Sequence, residues 1–163
     1  EAGIEGDPRP RRTWTQIGKV RHSPYLGEHI RHNVFGAVRP ADGRLSALLF
    51  NICDSVTFQV FLDNLAEENP PVEGRRNILV LDNASWHKSK SIHWHHFEPE
   101  YLPPRSPDLN AIERLWLRIK AGWFNGWIAK SGQELQERII EALRSLLDQP
   151  AILQSQCRPK LRL

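Results

Sequence analysis

Asp82 and Glu113 are acidic residues at positions in which a carboxylate could perform chemistry. Asp82 directly follows the apolar run of residues 78–81, which is typical of a central parallel strand buried on both faces. Because ligands of open α/β sheets collect beyond the carboxyl ends of the strands, an acid at this point is well placed to act. Asp82 could equally start the next turn or cap the next helix, as aspartate often does.

Glu113 is flanked by apolar residues, so a helix would place it at the border of its buried face. A carboxylate there loses hydration, and a cation or hydrogen bonds must offset that loss. The simpler interpretation is a solvent-facing glutamate that pairs with Arg114 or Arg118. Asp108 competes for a functional role, but its position near the positive end of a helix explains it adequately.

A pair of carboxylates, one from a strand end and one from a helix, is suited to two kinds of reaction. It could hold Mg²⁺, which prefers oxygen ligands, and two such ions about 3.5–4 Å apart promote phosphoryl transfer. It could also serve as the acid–base pair of a glycosidase. Basic residues surround both acids in the sequence, and this favours the reaction on phosphate.

The composition is that of one globular domain and excludes several classes of protein. The 163 residues carry a net charge of +3, and 40% of them are hydrophobic, which are ordinary values for a single core. Cys53 and Cys157 are far apart, so neither a disulfide scaffold nor a thiolate zinc site is expected. No apolar run approaches the roughly 20 residues that span a bilayer. The absence of methionine, even at position 1, indicates a part of a longer chain.

The first half of the chain contains a predicted hairpin followed by a helix. Residues 31–38 and 44–52 are extended segments joined by turn-forming residues, which predicts two antiparallel strands. Residues 56–68 repeat apolar side chains at three- and four-residue steps and predict a helix. A short strand is predicted over residues 13–17, within an arm rich in glycine, proline and arginine.

The second half contains predicted helices around a short strand near residues 101–102. One helix is predicted over residues 89–97, and another over 106–120, where Ser106 should act as the capping residue. Ser131 begins a capping-box pattern that opens a last helix. These elements predict an α/β fold with a mixed sheet flanked by helices.

Two sequence blocks carry a specific resemblance to a known family. The first, Leu-Asp-Asn-Ala-Ser-Trp-His, contains Asp82, Asn83 and His87. The second, Ser-Pro-Asp-Leu-Asn-Ala-Ile-Glu, contains Asn110 and Glu113, and 30 residues separate the two acids. These blocks resemble those of the DDE transposases of bacterial insertion sequences related to the mariner superfamily, and the resemblance extends over nearly the whole chain.

The resemblance implies a ribonuclease H-like fold in which three acids bind two Mg²⁺ or Mn²⁺ ions for DNA strand cleavage and strand transfer. It makes Asp82 the second acid and Glu113 the third. It also implies that Asn83 and His87 shape the strand end, and that Asn110 shapes the entrance of the helix.

The chain departs from this family at the first acid. In the family the first catalytic aspartate ends a central strand and precedes a glutamate, and here Glu1 to Gly3 match the residues directly after that aspartate. The first acid is therefore expected before Glu1, together with a first central strand that this sequence lacks. Glu1, Glu5 and Asp7 could substitute for it, but none matches the motif position. Unpaired backbone left by the missing strand should make the chain associate or dissolve poorly.

The resemblance also predicts domains, partners and location. Residues 1–150 should form the catalytic domain, incomplete at its N-terminus, and residues 151–163 a basic C-terminal tail. The expected partner is DNA, both transposon ends and target, with a homodimer in the complete bacterial, cytoplasmic and nucleoid-associated protein. Neither a small-molecule cofactor nor a membrane is expected. The basic residues expected to contact DNA are Arg11, Arg12, Lys88, Lys90, Arg105, Arg114 and Lys120.

Other functions stay open on the sequence alone. Because the first acid is absent here, the chain could be a catalytically inactive remnant that at most binds DNA or a partner. It could also be a ribonuclease H-like nuclease that shares the metal site without transposition. His93, His95 and His96 could form a zinc site, but a partly exposed helix face explains them better.

Overall fold

The computed structural model describes residues 1–7, 16–19 and 29–158, which form a mixed α/β fold. The strand predicted over residues 13–17 falls largely outside the described residues. The strands are β1 (Ala2–Glu5), β2 (Arg31–Arg39), β3 (Arg44–Phe50), β4 (Asn77–Leu81) and β5 (Phe97–Tyr101). The α-helices are α1 (Ser55–Glu68), α2 (Ala111–Trp123), α3 (Gly132–Leu147) and α4 (Pro150–Cys157).

The strands form one antiparallel sheet, β1-β2-β3, and one parallel pair, β4-β5. The predicted hairpin is confirmed as β2 and β3, whose turn contains Gly43 at a φ of +74°. Glycine takes this left-handed conformation without steric cost, and the Gly43 N–H donates to the Arg39 carbonyl over 2.9 Å. β1 continues this sheet, with Ala2 opposite Val34.

An open groove of about 450 Å³ separates β2 from β4. β1 pairs only with residues 31–34 of β2, so residues 35–39 of β2 and the whole of β4 line the groove. The prediction that β4 is central and buried on both faces is therefore wrong for the described chain. Ile78 is 54% exposed and Val80 48% exposed, because no described element covers that face of β4.

The sheet β1-β2-β3 separates two apolar cores. On one face α2, α3 and α4 bury residues that include Trp116, which is 2% exposed as the sequence predicts. On the other face α1 packs against Phe35 and the end of β4, and the predicted apolar face of α1 is confirmed. At Gly36 a Cβ atom would lie 2.8 Å from the Trp116 ring, so this glycine allows α2 to approach β2 closely.

The helix predicted over residues 89–97 is wrong, because contacts with α1 hold this segment as a loop. Ser85–Lys88 form one 3-10 turn, and β5 starts at Phe97. The side chain of Gln59 donates to the carbonyl of His93 over 3.1 Å and accepts from its N–H over 2.8 Å. These two bonds satisfy the N–H and the carbonyl of His93, which a helix would pair within itself.

Helix α2 begins later than predicted, at Ala111 rather than near Ser106. The side chain of Ser106 caps nothing, and Pro107–Leu109 form a separate 3-10 turn. Asn110 caps α2 instead, since its Oδ1 accepts from the N–H of Ile112 over 3.4 Å. Leu109 therefore lies in the 3-10 turn outside α2 and is exposed.

Helix α3 begins as predicted, with Ser131 accepting from the N–H of Glu134 over 3.1 Å. The side chain of Glu134 accepts from the N–H of Lys130 rather than from that of Ser131. Near the end of the helix, Leu146 is buried and Leu147 is exposed.

Replacing Ser131 with alanine should lower the free energy of unfolding by about 1 kcal/mol, because the N–H of Glu134 loses its acceptor. Urea denaturation of the two proteins measures the difference. Ser131→Asp is the matched control, since it keeps an acceptor at the cap and should stay close to the original protein. An alanine variant as stable as the aspartate variant would show that the cap contributes nothing.

The basic tail predicted over residues 151–163 is corrected, because residues 150–157 form α4. Pro150 suits the first turn of a helix, and Leu153 and Cys157 are completely buried against the core. The side chain of Gln154 donates to the Ala41 carbonyl over 2.8 Å, and a Cβ atom on Gly43 would lie 2.1 Å from the Pro150 carbonyl oxygen. Helix α4 thus supports the hairpin turn. The domain boundary at residue 150 stays a prediction.

Among the described residues, no helix combines the length and the apolar character needed to cross a bilayer.

Candidate metal-binding site

A pocket of about 210 Å³ lies where β4 and β5 end and α2 begins. The strands β4 and β5 are parallel neighbours, so both deliver their carboxyl ends to this place. The pocket brings together Asp82, Asn83, Asn110 and Glu113, four of the five site residues that the sequence predicted around the acids. The fifth, His87, lies behind Asp82.

Asp82 starts the turn after β4, which is one of the two interpretations that its sequence position allows. Its Oδ1 accepts from the N–H of Ala84 over 3.0 Å, which starts the turn after β4. The same oxygen lies 2.9 Å from Nδ1 of His87. The described contacts of this carboxylate use Oδ1, and the half-exposed side chain therefore keeps Oδ2 for a ligand.

His87 is a buried imidazole between two carboxylates. Its Nδ1 faces Asp82, its Nε2 lies 3.5 Å from Oε2 of Glu1, and its ring packs on Phe58. Burial lowers the pKa of His87, although the charges of Glu1 and Asp82 oppose this effect.

Glu1 is left with a buried carboxylate oxygen that no described group satisfies. Its Oε2 has no hydrogen-bond partner within the described residues, and Nε2 of His87 lies 3.5 Å away. The ligand atoms of Glu1, Asp82 and His87 all lie within 4.8 Å of one another. A buried carboxylate of this kind is costly unless a cation is present.

Glu113 lies half-buried in the first turn of α2, as the sequence predicted for a carboxylate at the border of a buried face. Burial raises its pKa, and the charges of Asp82 and Glu1 raise it further. The ammonium of Lys120 acts in the opposite direction. Glu113 therefore lies among other carboxylates rather than on a solvated face. Arg114, which the simpler interpretation made its partner, donates to the Cys157 carbonyl instead.

Further polar contacts hold the strand ends in place. The side chain of Asn83 donates to the Leu102 carbonyl over 2.5 Å and accepts from Lys88 over 2.7 Å. The hydroxyl of Tyr101 donates to the His87 carbonyl over 2.8 Å. Sequence reasoning missed Tyr101, although parallel pairing places it opposite Leu81, next to Asp82. The ends of neighbouring parallel strands would have identified it.

The basic residues predicted to contact DNA occupy different environments. Arg105 lines the pocket, and the ammonium of Lys88 donates a hydrogen bond to Asn83. Lys90 is exposed, whereas Arg114 is partly buried against α4. Lys120 lies close enough to Glu113 to lower its pKa. Arg11 and Arg12 lie outside the described residues.

The donor set of the pocket fits a hard divalent cation. Asp82 and Glu113 line the pocket and offer carboxylate oxygens, which Mg²⁺ and Mn²⁺ prefer. Glu1 lines the neighbouring groove and offers another carboxylate oxygen close to Asp82. Oε2 of Glu1 has no hydrogen-bond partner among the described residues, and Glu113 is half-buried, so a cation at this place would offset the cost of burying these carboxylates. The three neighbouring histidines do not form a comparable site: His95 contacts Asp63, and His96 contacts the Asn69 carbonyl.

Glu113→Gln should raise the melting temperature at pH 7 in the presence of a chelator. The raised pKa means that the folded chain binds the glutamate's proton more tightly than the unfolded chain, so ionisation above pH 4.5 destabilises the fold. The difference in melting temperature between the glutamine variant and the original protein should therefore shrink as the pH falls and Glu113 becomes protonated. Scanning calorimetry at several pH values measures both effects. A variant that melts below the original protein at pH 7 would contradict this prediction.

Comparisons with known proteins agree with this geometry. Residues 1–136 match the model of a family described as DDE superfamily endonuclease. The "Uncharacterized protein y4pE/y4sA" of Sinorhizobium fredii (strain NBRC 101917 / NGR234) is 33% identical over 119 residues, which are 72% of this chain and 86% of that protein.

A solved structure is also similar. A chain of the "Crystal structure of the Mos1 Strand Transfer Complex" matches with a TM-score of 0.61 at 13% identity, over 99% of this chain. The match covers 54% of that chain, so the present chain spans about half its length. At this identity the likeness shows the fold, and the predicted ribonuclease H-like architecture is confirmed.

Proposed function

The chain belongs to the DDE superfamily endonucleases, and from this premise we propose that it is the catalytic part of a transposase that cuts DNA and joins the cut strand to target DNA. The family predicted from the two sequence blocks is thereby confirmed. One observation carries the proposal beyond the family: Asp82 and Glu113, from different elements, line the same small pocket. DNA is the proposed partner, and the proposed assembly is a homodimer.

In this proposal Asp82 and Glu113 hold divalent metal, Mg²⁺ or Mn²⁺. Two bound ions would activate a water or a 3′-hydroxyl and stabilise the leaving oxygen of the phosphodiester. His87 fixes one oxygen of Asp82 by hydrogen bonding and so orients the carboxylate. The cap formed by Asn110 fixes the start of α2, and with it the position of Glu113 in the first turn.

The position of Glu1 supports a third acid immediately before it. Glu1 lies beside Asp82 and His87, with ligand atoms all within 4.8 Å of one another, so a preceding residue would lie near the same pocket. The register of β1 would carry such a residue along β2, into the groove. Glu5 is exposed at the other end of β1 and does not line the pocket, which makes it a poor substitute.

The test uses the protein as it is encoded, with any residues that precede Glu1. It should nick transposon-end DNA in Mg²⁺ or Mn²⁺ and leave the DNA intact in a chelator or in Ca²⁺. Strand transfer should require the same metals. Cleavage that persists in the chelator would overturn the proposed metal site.

A second candidate is a catalytically inactive remnant that at most binds DNA or a partner. The sequence upstream of Glu1 separates the two. An apolar strand that ends in aspartate supports the enzyme, whereas a stop codon or unrelated sequence supports the remnant. A folded protein that binds DNA but never cuts it would support the remnant as well.

A further inference from the structure

Two non-glycine residues have a left-handed backbone within the described chain, and they lie on either side of β5. His95 has a φ of +54° and Arg105 a φ of +59°. Side chains with a Cβ atom are strained in this region, which glycine occupies freely. Such strain persists only where its surroundings or a function maintain it.

The strain at His95 has an internal explanation. Its Nε2 lies 2.7 Å from a carboxylate oxygen of Asp63, and Gln59 holds the neighbouring residue His93 through both peptide groups. Asp63 and Gln59 are one turn apart on α1, so the helix fixes the loop at two points. The side chain of His95 is therefore used within the fold.

The strain at Arg105 has no such explanation. The side chain is exposed, and it takes part in no hydrogen bond, ion pair or ring contact within the described residues. The turn itself is set by neighbouring prolines, Pro103, Pro104 and Pro107, and glycine would fit it without strain. An arginine in this place therefore costs stability and contributes nothing visible to the fold.

Arg105 instead lines the pocket that holds both acids. The carboxylates of Asp82 and Glu113 repel the phosphates of a DNA strand that must approach them. A guanidinium in the same wall offsets this repulsion, and its planar fork can bind two phosphate oxygens at once. Among the described residues that line this pocket, no other is an arginine or a lysine.

We infer that Arg105 is a phosphate-binding residue of this site, which holds a backbone phosphate of DNA beside the pocket of Asp82 and Glu113. The inference rests on the proposed function, because it deepens the contact of that site with DNA.

The experiment compares Arg105→Gly with Arg144→Ala, which removes the same charge from an exposed position on α3 outside the pocket. Affinity for a short DNA duplex is measured by fluorescence anisotropy over a series of salt concentrations, in Ca²⁺ to prevent cleavage. Loss of one phosphate contact should weaken binding and reduce the slope of log K against log salt by about one in the Arg105 variant. Arg144→Ala should keep the original slope. The melting temperature of Arg105→Gly should be unchanged or raised, since glycine relieves the strain.

Arg105→Lys and Arg105→Ala complete the series. The lysine variant keeps the charge, so its salt slope should be close to that of the original protein. The alanine variant should show the same reduced slope as Arg105→Gly and should melt at a lower temperature than that variant. An Arg105→Gly protein with the original slope and affinity overturns the inference while the proposed function stands. An original protein that binds no DNA at all overturns both, and this separates the two failures.

Discussion

Asp82→Asn should reduce metal-dependent DNA cleavage by the complete protein by about 10³-fold or more. A bound metal ion contributes several kcal/mol of charge stabilisation in the transition state, and each 1.36 kcal/mol changes a rate tenfold. Asparagine keeps the size of the side chain and an acceptor for the N–H of Ala84, so the turn after β4 should survive. Glu113→Gln should lose activity to the same extent. Initial rates of nicking on a labelled DNA substrate measure both effects.

Asp108→Asn is the matched control for this experiment. Asp108 lies in the 3-10 turn just before α2 and is exposed, but it is not among the residues that line the pocket. It should therefore cut DNA at nearly the original rate. If Asp82→Asn and Glu113→Gln cut as fast as Asp108→Asn, the assignment of the metal ligands is wrong. An inactive Glu113→Gln protein that is also more stable at pH 7 would show that the fold tolerates this acid for the sake of its chemistry.

Trp116→Ala should lower the free energy of unfolding by about 3–5 kcal/mol, the usual effect of truncating a large core side chain. The ring of Trp116 is 2% exposed and fills the space above Gly36 of β2. Because Trp116 lies one turn after Glu113, the same contact sets the distance between that acid and the sheet. A loss of this size is a large part of the stability of an ordinary domain. Guanidinium denaturation followed by far-ultraviolet circular dichroism measures the effect.

Two variants serve as controls for Trp116→Ala. Trp116→Phe keeps most of the apolar volume and should lose distinctly less stability. Trp123→Ala removes a partly buried tryptophan from the end of the same helix and should also cost less. If Trp116→Ala unfolds at the denaturant concentration of the original protein, the packing of α2 on Gly36 does not stabilise the fold as described.

The site was predictable because its residues lie close to strand and helix ends that local patterns reveal. The apolar run before Asp82 identifies β4, and the apolar spacing around Glu113 identifies α2. Their meeting in one pocket follows from the rule for the carboxyl ends of parallel strands. Glu1 was considered only as a substitute acid, since nothing in its local sequence indicates that Oε2 would be buried beside His87.

The errors arose where distant contacts override local preference. Residues 89–97 have a helical pattern, but Gln59 and Asp63 of α1 bind the loop from outside. The apolar run of β4 is typical of full burial, yet Ile78 and Val80 face the groove. The loop at residues 89–97 and the exposure of Ile78 and Val80 both depend on residues that are distant in the sequence. A pattern within a short segment therefore does not predict them.

The contact of α4 with the hairpin turn determines where the chain can be shortened. The match to the family ends at residue 136, within the second turn of α3, but α4, which ends at Cys157, packs on the same core. Without α4, the Ala41 carbonyl loses its donor from Gln154, and Gly43 loses the backbone that it packs against. A protein truncated at the family boundary would therefore unravel from the hairpin as well as from its new end. The region matched by the family does not include α4, yet the hairpin turn between β2 and β3 depends on contacts with this helix.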